Sequence, residues 1–270
     1  GLQLRARPEG TVGNSSTAGG RHYGSHARTC YTLRQLMGIA YLQYVGNNLY
    51  VYPEHKDHDP IGEERGNAGD VLPSNTPYLL VSQGSSGSDK ALMRGVCFAL
   101  GAFHPEVKEL LTKRGLLMPT VQMIFRACYR RVEEPADYLT GKAHPTVFRG
   151  ADVDARKMAE MAHAMEADRV PPMVQLRVVE EDLPVQGRDY FEGRPRSEAL
   201  ADTACVIARV FRGRQYRRRM VVSAEDSYDV NGRELTYHWV VLRGDPERVR
   251  IVPKNPQRSV AEIHLGYHPR

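Results

Sequence analysis

The spacing of the apolar residues changes once along this chain, and that change is the strongest constraint on its fold. From Thr29 to Phe211, most apolar residues recur every three or four positions, as they do along one face of a helix. From Met220 onward they form short β-branched runs and alternate with polar residues, as they do in strands. Separate stretches of helix and strand are typical of the α+β class. We therefore expect a mostly helical α+β domain with a few short strands, or a small α/β domain, followed by an antiparallel β module.

This pattern predicts three parts. Residues 1–28 are rich in Gly, Ser, Thr and Arg with almost no apolar periodicity, so we expect an irregular arm. Residues 29–215 are expected to form the α+β domain, and residues 216–270 the β module. A polar loop from Pro53 to Pro77 is unusually long for a compact domain, and such loops are usually functional or disordered.

Helices and short strands are predicted inside the α+β domain. Apolar stripes and capping residues predict helices from Thr29, after Ser88 or Asp89, from Pro105, from Pro119, after Asp152 and after Ser197. The methionines of the helix after Asp152 are expected in the core. Short strands are predicted at residues 49–52, 78–82 and 174–179.

Composition and cysteine spacing exclude several classes of protein. The hydrophobic fraction of 41% and the charged fraction of 26% are those of a globular protein. No apolar stretch approaches the roughly 18 residues of a membrane-spanning helix. The chain starts at Gly1, so the missing signal peptide does not indicate the cytoplasm.

The four cysteines form no C-x-x-C pair, which excludes zinc-ribbon and haem-attachment motifs. We expect buried free thiols, with one or two disulfides as the alternative.

Residues 223–239 read Ser-Ala-Glu-Asp-Ser-Tyr-Asp-Val-Asn-Gly-Arg-Glu-Leu-Thr-Tyr-His-Trp. This run resembles the opening of polycystic-kidney-disease (PKD) repeats, which read S-x-D-x-D-G-x-x-L-x-Y-x-W. The run departs from that pattern where Val230 and Asn231 replace the usual Pro and Asp. The resemblance implies an immunoglobulin-like β-sandwich in which Leu235, Tyr237 and Trp239 face one core. Asn231-Gly232 is also a strong turn signal.

The resemblance has consequences for location, partners and ions. PKD repeats belong to cell-surface and secreted proteins, so it implies an extracytoplasmic protein, whether secreted, periplasmic or on the cell surface, of bacterial type. The module would still need a last strand where the chain stops at Arg270, and another polypeptide could supply it. In some such repeats the acidic turn holds calcium, for which Asp229 and Asn231 are the candidates here.

The turn from Gln83 to Asp89 is the first candidate site in the larger domain. A strand that enters a Gly/Ser-rich turn and then a helix can hold an anion on backbone N–H groups. It also resembles the G-x-S-x-G nucleophile elbow, which would make Ser86 the nucleophile of a hydrolase. Ser88 replaces the last Gly of that motif, and a structural turn is the plain interpretation. The candidate anion-binding residues are Gly84, Ser85, Gly87, Ser88 and Asp89.

Two further clusters could bind ligands. His55, Asp57, His58 and Asp59 could hold a divalent cation, Zn²⁺ or Ca²⁺, although a solvated loop explains them equally simply. An arginine run with interleaved Phe211 and Tyr216 could be a polar linker, a site for an acidic surface polymer or, less in keeping with the rest, a nucleic-acid site. The run comprises Arg209, Arg212, Arg214, Arg217, Arg218 and Arg219.

No complete catalytic set can be assembled from these residues. We therefore expect a surface-binding, adhesive or structural role, with a polypeptide or surface polymer as the partner. The alternative is a hydrolase that uses Ser86, or a metal protein that uses His55 and His58.

Overall fold

The computed structural model describes residues 4–6, 10–13, 41–42, 44–46, 48–50, 90–145, 148–191, 199–209, 211, 215–242 and 244–267. The chain forms two compact units, Gly1–Pro171 and Pro172–Arg270. Helices dominate the described part of the first unit, and antiparallel sheets dominate the second, which confirms the α+β class.

The helices of the first unit are those that the apolar stripes predict. They are α1 (Lys90–Ala102), α2 (Pro105–Lys113), α3 (Leu117–Ala127) and α4 (Ala155–His163). Gly115 follows α2 with a φ of 66°, the left-handed conformation that glycine adopts most easily after a helix. The cap of α4 is Asp154, whose Oδ1 accepts the N–H of Lys157, rather than the expected Asp152.

The core of the first unit lies between these helices. Gly95 on α1 brings α4 close, since a Cβ there would lie 2.8 Å from the Met158 sulfur. Met158 is buried, as expected of a core methionine. Phe148 packs edge-to-face on Phe125 and Tyr129, with ring centroids 4.8 and 5.3 Å apart.

A small sheet also belongs to the first unit. Its strands are β1 (Leu4–Ala6), β2 (Gly10–Gly13) and β3 (Asn48–Tyr50), with β2 antiparallel to β1 and parallel to β3. Thus β1 and β2 occur inside the stretch expected to be an irregular arm. Such short strands pair through the backbone and need no apolar periodicity.

The second unit is built on a four-stranded antiparallel sheet of order β4-β7-β9-β8. The strands are β4 (Arg177–Glu181), β7 (Arg217–Ser223), β8 (Val249–Pro253) and β9 (Val260–Gly266). In this sheet β4 pairs with β7, and the compact unit that contains it is Pro172–Arg270. The domain boundary expected at residue 216 stays a prediction. Because β7 begins at Arg217, residues 217–219 are strand residues and not a linker.

The helix predicted after Ser197 is wrong. Residues in its place form the hairpin of β5 (Ala199–Thr203) and β6 (Val206–Arg209). The Arg209 side chain is 6% exposed and pairs with Glu181 and Asp202, and the Thr203 hydroxyl closes the turn with the N–H of Val206. These contacts stabilise the hairpin, although the spacing of the apolar residues would also fit a helix.

The alternation of Leu235, Tyr237 and Trp239 is that of a strand in the β module, but these residues belong to no sheet of the described part of the chain. The turn predicted at Asn231-Gly232 is confirmed. Gly232 has a φ of 70°, and its N–H donates to the Asp229 carbonyl at 3.1 Å.

Candidate functional site

The candidate site is residues 234–242, which belong to no sheet among the described residues and whose side chains alternate in burial as in a strand; we call this stretch the extended segment. It begins after the turn at Asp229. That carboxylate accepts the N–H of Asn231 at 2.8 Å and pairs with the Arg233 guanidinium at 2.6 Å. The hydrogen bond from Arg233 holds the pKa of Asp229 below its usual value, so the ionised carboxylate fixes the start of the segment.

Side chains of the extended segment alternate as they do in a half-buried strand. Leu235, Tyr237 and Trp239 are half-buried, whereas Thr236 and His238 are exposed. The sequence predicted this alternation of faces. It did not predict that the stretch would lie outside the sheet.

The backbone of the extended segment is unpaired. Among the described residues, no backbone–backbone hydrogen bond involves residues 234–242. Strand pairing normally satisfies these N–H and C=O groups in a sheet. The segment therefore offers a row of free donors and acceptors to an incoming strand.

A side-chain contact holds the segment in place. The Trp239 indole Nε1 donates to the Arg258 carbonyl at 2.7 Å. Arg258 has a φ of 62° and is the only non-glycine residue with a positive φ in the described part of the chain. A backbone conformation that L-residues avoid thus occurs where the loop between β8 and β9 meets the extended segment.

A shallow cavity of about 380 Å³ lies beside the first half of the segment. It could receive side chains of a bound strand. The residues that line it are Glu225, Ser227, Tyr228, Asp229, Gly232, Arg233, Glu234, Leu235, Tyr237, Gln257 and Ser259.

The second half of the segment is apolar and open to solvent. Val240 and Val241 are 44% and 38% exposed. No charged residue occurs from Leu235 to Leu242, although native edges usually carry charge or proline against unwanted pairing. The segment therefore lacks the charges and prolines by which native edges avoid pairing.

Most of the site residues expected from sequence lie outside the described residues. These are Ser86 with Gly84, Ser85, Gly87, Ser88 and Asp89, and the cluster of His55, Asp57, His58 and Asp59. The loop from Pro53 to Pro77 lies outside as well. Both sites stay predictions.

Asp229 and Asn231, the candidate calcium ligands, do lie together in the turn. The Asp229 carboxylate already binds Arg233, so a cation would have to displace that guanidinium. The described residues hold no group of three or more His, Cys, Asp or Glu side chains placed to bind a metal. Calcium at this turn stays a prediction.

The arginine run does not form one basic surface within the described residues. Arg209 is buried in ion pairs, and Arg219 pairs with Glu180 and Glu262. Arg218 is 4% exposed, lies over the Phe211 ring and donates to the Asp182 carbonyl at 3.0 Å. Arg217 is exposed. Arg212 and Arg214 lie outside the described residues.

The described cysteines do not form a reactive site. Cys97, Cys128 and Cys205 are free, and Cys30 lies outside the described residues. Burial raises the pKa of the Cys128 thiol to about 11 and that of Cys205 to about 12. Such thiols stay protonated at neutral pH and pack as small apolar groups.

Within the part of the chain that the structure describes, no helix has the length and apolar character needed to span a membrane. Comparisons with models of protein families, with curated proteins and with solved structures found no match to this chain.

Proposed function

We propose that this is a binding protein whose second unit takes up an extended segment of another polypeptide by strand addition along residues 234–242. The observation that carries the proposal is a stretch with the alternating burial of a strand and an unpaired backbone. In strand addition, main-chain hydrogen bonds supply affinity and pockets for alternate side chains supply specificity.

The side chains of the extended segment indicate which side chains a partner strand would carry. Because residues 235–242 carry no charge, a matching strand would be uncharged over the same length. Its inward side chains would lie beside Leu235, Tyr237 and Trp239, where apolar and β-branched residues pack best. The cavity of about 380 Å³ would take one of these side chains.

The resemblance of residues 223–239 to PKD repeats agrees with this proposal. The resemblance implies that residues 235–239 belong to a strand, and the partner would provide the strand beside it. The proposal includes an extracytoplasmic, adhesive or surface-structural role, which rests on this resemblance alone.

The test measures binding of short peptides that alternate valine or tyrosine with threonine and carry terminal lysines for solubility. A second set has the same side chains but N-methylated amides, which cannot form a ladder. We expect the first set to bind and the second to bind about tenfold more weakly or worse. Hydrogen exchange of the amides of residues 234–242 should slow when the first set binds.

A matched pair of variants ties this binding to the backbone of the segment. Thr236→Pro/Tyr237→Pro removes one N–H from each edge, because successive N–H groups of an extended chain point to opposite edges. Thr236→Ala/Tyr237→Ala loses the same side chains and keeps both N–H groups. Binding should be lost in the proline variant and only weakened in the alanine variant, which loses the contacts of Tyr237 but keeps the backbone donors. Equal affinity for methylated and unmethylated peptides, or no binding of either, would refute strand addition.

A further inference from the structure

A second cavity lies at one end of the four-stranded sheet, and none of its lining residues belongs to the extended segment. Its volume is about 620 Å³, within the usual range of small-ligand sites. The start of β7, the start of β8 and the end of β9 form it. This end is opposite to the loop of residues 254–259 that joins β8 to β9.

The pairing of β7 and β8 with β9 places the arginines of this cavity on one face of the sheet. Arg217 is opposite Gly266, and Arg250 is opposite His264, so both side chains share a face across β9. Two strand spacings separate β7 from β8, roughly 10 Å. Gly266 lies between them, and the absence of a side chain there lets Arg248 pack closely, since a Cβ would lie 3.3 Å from the Arg248 carbonyl oxygen.

Two of these arginines have no acidic partner. Arg248 pairs with Asp245, and its Nη1 donates to the Tyr267 carbonyl. In contrast, Arg217 and Arg250 are exposed, and no hydrogen bond or ion pair of either side chain is found within the described residues. Glu247 is the single acidic residue among three arginines in the lining. The cavity therefore favours an anion.

An aromatic surface completes the site. Tyr216 and Tyr267 are 75% and 54% exposed, and their rings meet edge-to-face with centroids 5.5 Å apart. Exposed tyrosine rings next to free guanidinium groups suit a ligand that has a ring with one apolar face and charged groups at its edge.

We propose that this cavity binds an acidic oligosaccharide. A sugar ring would lie on Tyr216, and carboxylate or sulfate groups would pair with Arg217 and Arg250. Single-stranded nucleic acid fits less well, because such sites present successive aromatic faces along a groove. Here the tyrosine rings are inclined by 65° and turn edge-to-face, so they do not form a stacking series. An acidic peptide would supply carboxylates but no ring to cover Tyr216.

The test is calorimetric titration of the full chain with a trimer of galacturonic acid, a heparin tetrasaccharide and neutral maltotriose. At least one acidic oligosaccharide should bind, more weakly as salt is added, and maltotriose should not. Arg217→Gln/Arg250→Gln should weaken binding at least tenfold, and Tyr216→Ala should weaken it as well. Arg217→Lys/Arg250→Lys, which keeps the charge, should restore part of the affinity.

Arg94→Gln/Arg114→Gln is the charge-matched control, since both are exposed arginines of the first unit, one on α1 and the other directly after α2. It should leave affinity unchanged. The proposal fails if neither acidic oligosaccharide binds, or if Arg217→Gln/Arg250→Gln binds as tightly as the unmodified chain. Tighter binding of an oligothymidylate than of both acidic sugars would assign the cavity to nucleic acid instead.

Discussion

Arg258 shows how a single residue can set the position of a functional surface. It has a φ of 62°, and its carbonyl accepts the indole N–H of Trp239 at 2.7 Å. The left-handed conformation costs an L-residue about 1–2 kcal/mol, and glycine avoids most of that cost. The strained residue is therefore Arg258 itself, whose carbonyl holds the extended segment through Trp239.

This strain gives a prediction for one side chain. Arg258→Gly should raise the free energy of unfolding of the second unit by about 0.5–1 kcal/mol, because relief of strain exceeds the added freedom of the unfolded chain. Gln257→Gly, at a neighbour whose φ is not positive, should lower it by a similar amount. Urea unfolding of both variants measures the difference. A loss of stability in Arg258→Gly would show that the left-handed conformation carries no strain.

Single residues also mark the limit of what the sequence predicts. The inward direction of Leu235, Tyr237 and Trp239 was predictable, because alternation is a local property of the chain. The contact between Trp239 and Arg258 was not, since it depends on where the sheet places a distant loop. The same holds for Arg217 and Arg250, which share a cavity only because β9 lies between their strands.

At the scale of elements, a carboxylate near the centre of the sheet joins its strands. Glu262 on β9 accepts hydrogen bonds from Arg219 on β7, from His264 and from Lys254. Chiefly through Arg219, this set lowers the pKa of Glu262 from 4.5 to about 2. The pair of Glu262 and Arg219 is therefore ionised at the pH values at which most proteins are studied.

This shift predicts how the sheet responds to acid. A carboxyl group whose pKa is lower in the folded state adds stability above its unfolded pKa and loses it as pH falls. The contribution of Glu262 should be complete above about pH 4.5 and be lost between there and about pH 2. Glu262→Gln should be less stable than the unmodified chain at pH 7, with the difference shrinking across that window. A difference independent of pH would contradict this account.

The elements also differ in how predictable they were. Helices α1 to α4 follow from apolar stripes, proline at the first turn and a glycine after α2, all of them local signals. The β5–β6 hairpin was missed because Leu200, Ala204 and Ile207 have a helical spacing by coincidence. What selects the hairpin is Arg209, whose partner Glu181 lies on another strand.

At the scale of the whole molecule, the chain has two units with separate cores. The first is built around α1 to α4 and the aromatic cluster of Phe125, Tyr129 and Phe148. The second is built on the four-stranded sheet. Units with their own cores can unfold separately.

A core variant tests this independence. Phe125 is 1% exposed, so Phe125→Ala should lower the free energy of unfolding of the first unit by about 3–5 kcal/mol. Hydrogen exchange should then be faster in α1 and α3 and unchanged in β7 and β9. Equal acceleration in both units would mean that they unfold as one cooperative body.

The order β4-β7-β9-β8 implies an order of folding. Only β8 and β9 are joined by a short loop, residues 254–259, whereas β4 must find β7 across the intervening β5–β6 hairpin. Loop closure makes distant pairings slower than local ones. We expect pulse-labelled amides between β8 and β9 to become protected before those between β4 and β7, and simultaneous protection would contradict this. During synthesis, β4 would therefore leave the ribosome early and wait, unpaired, until its partner β7 has emerged.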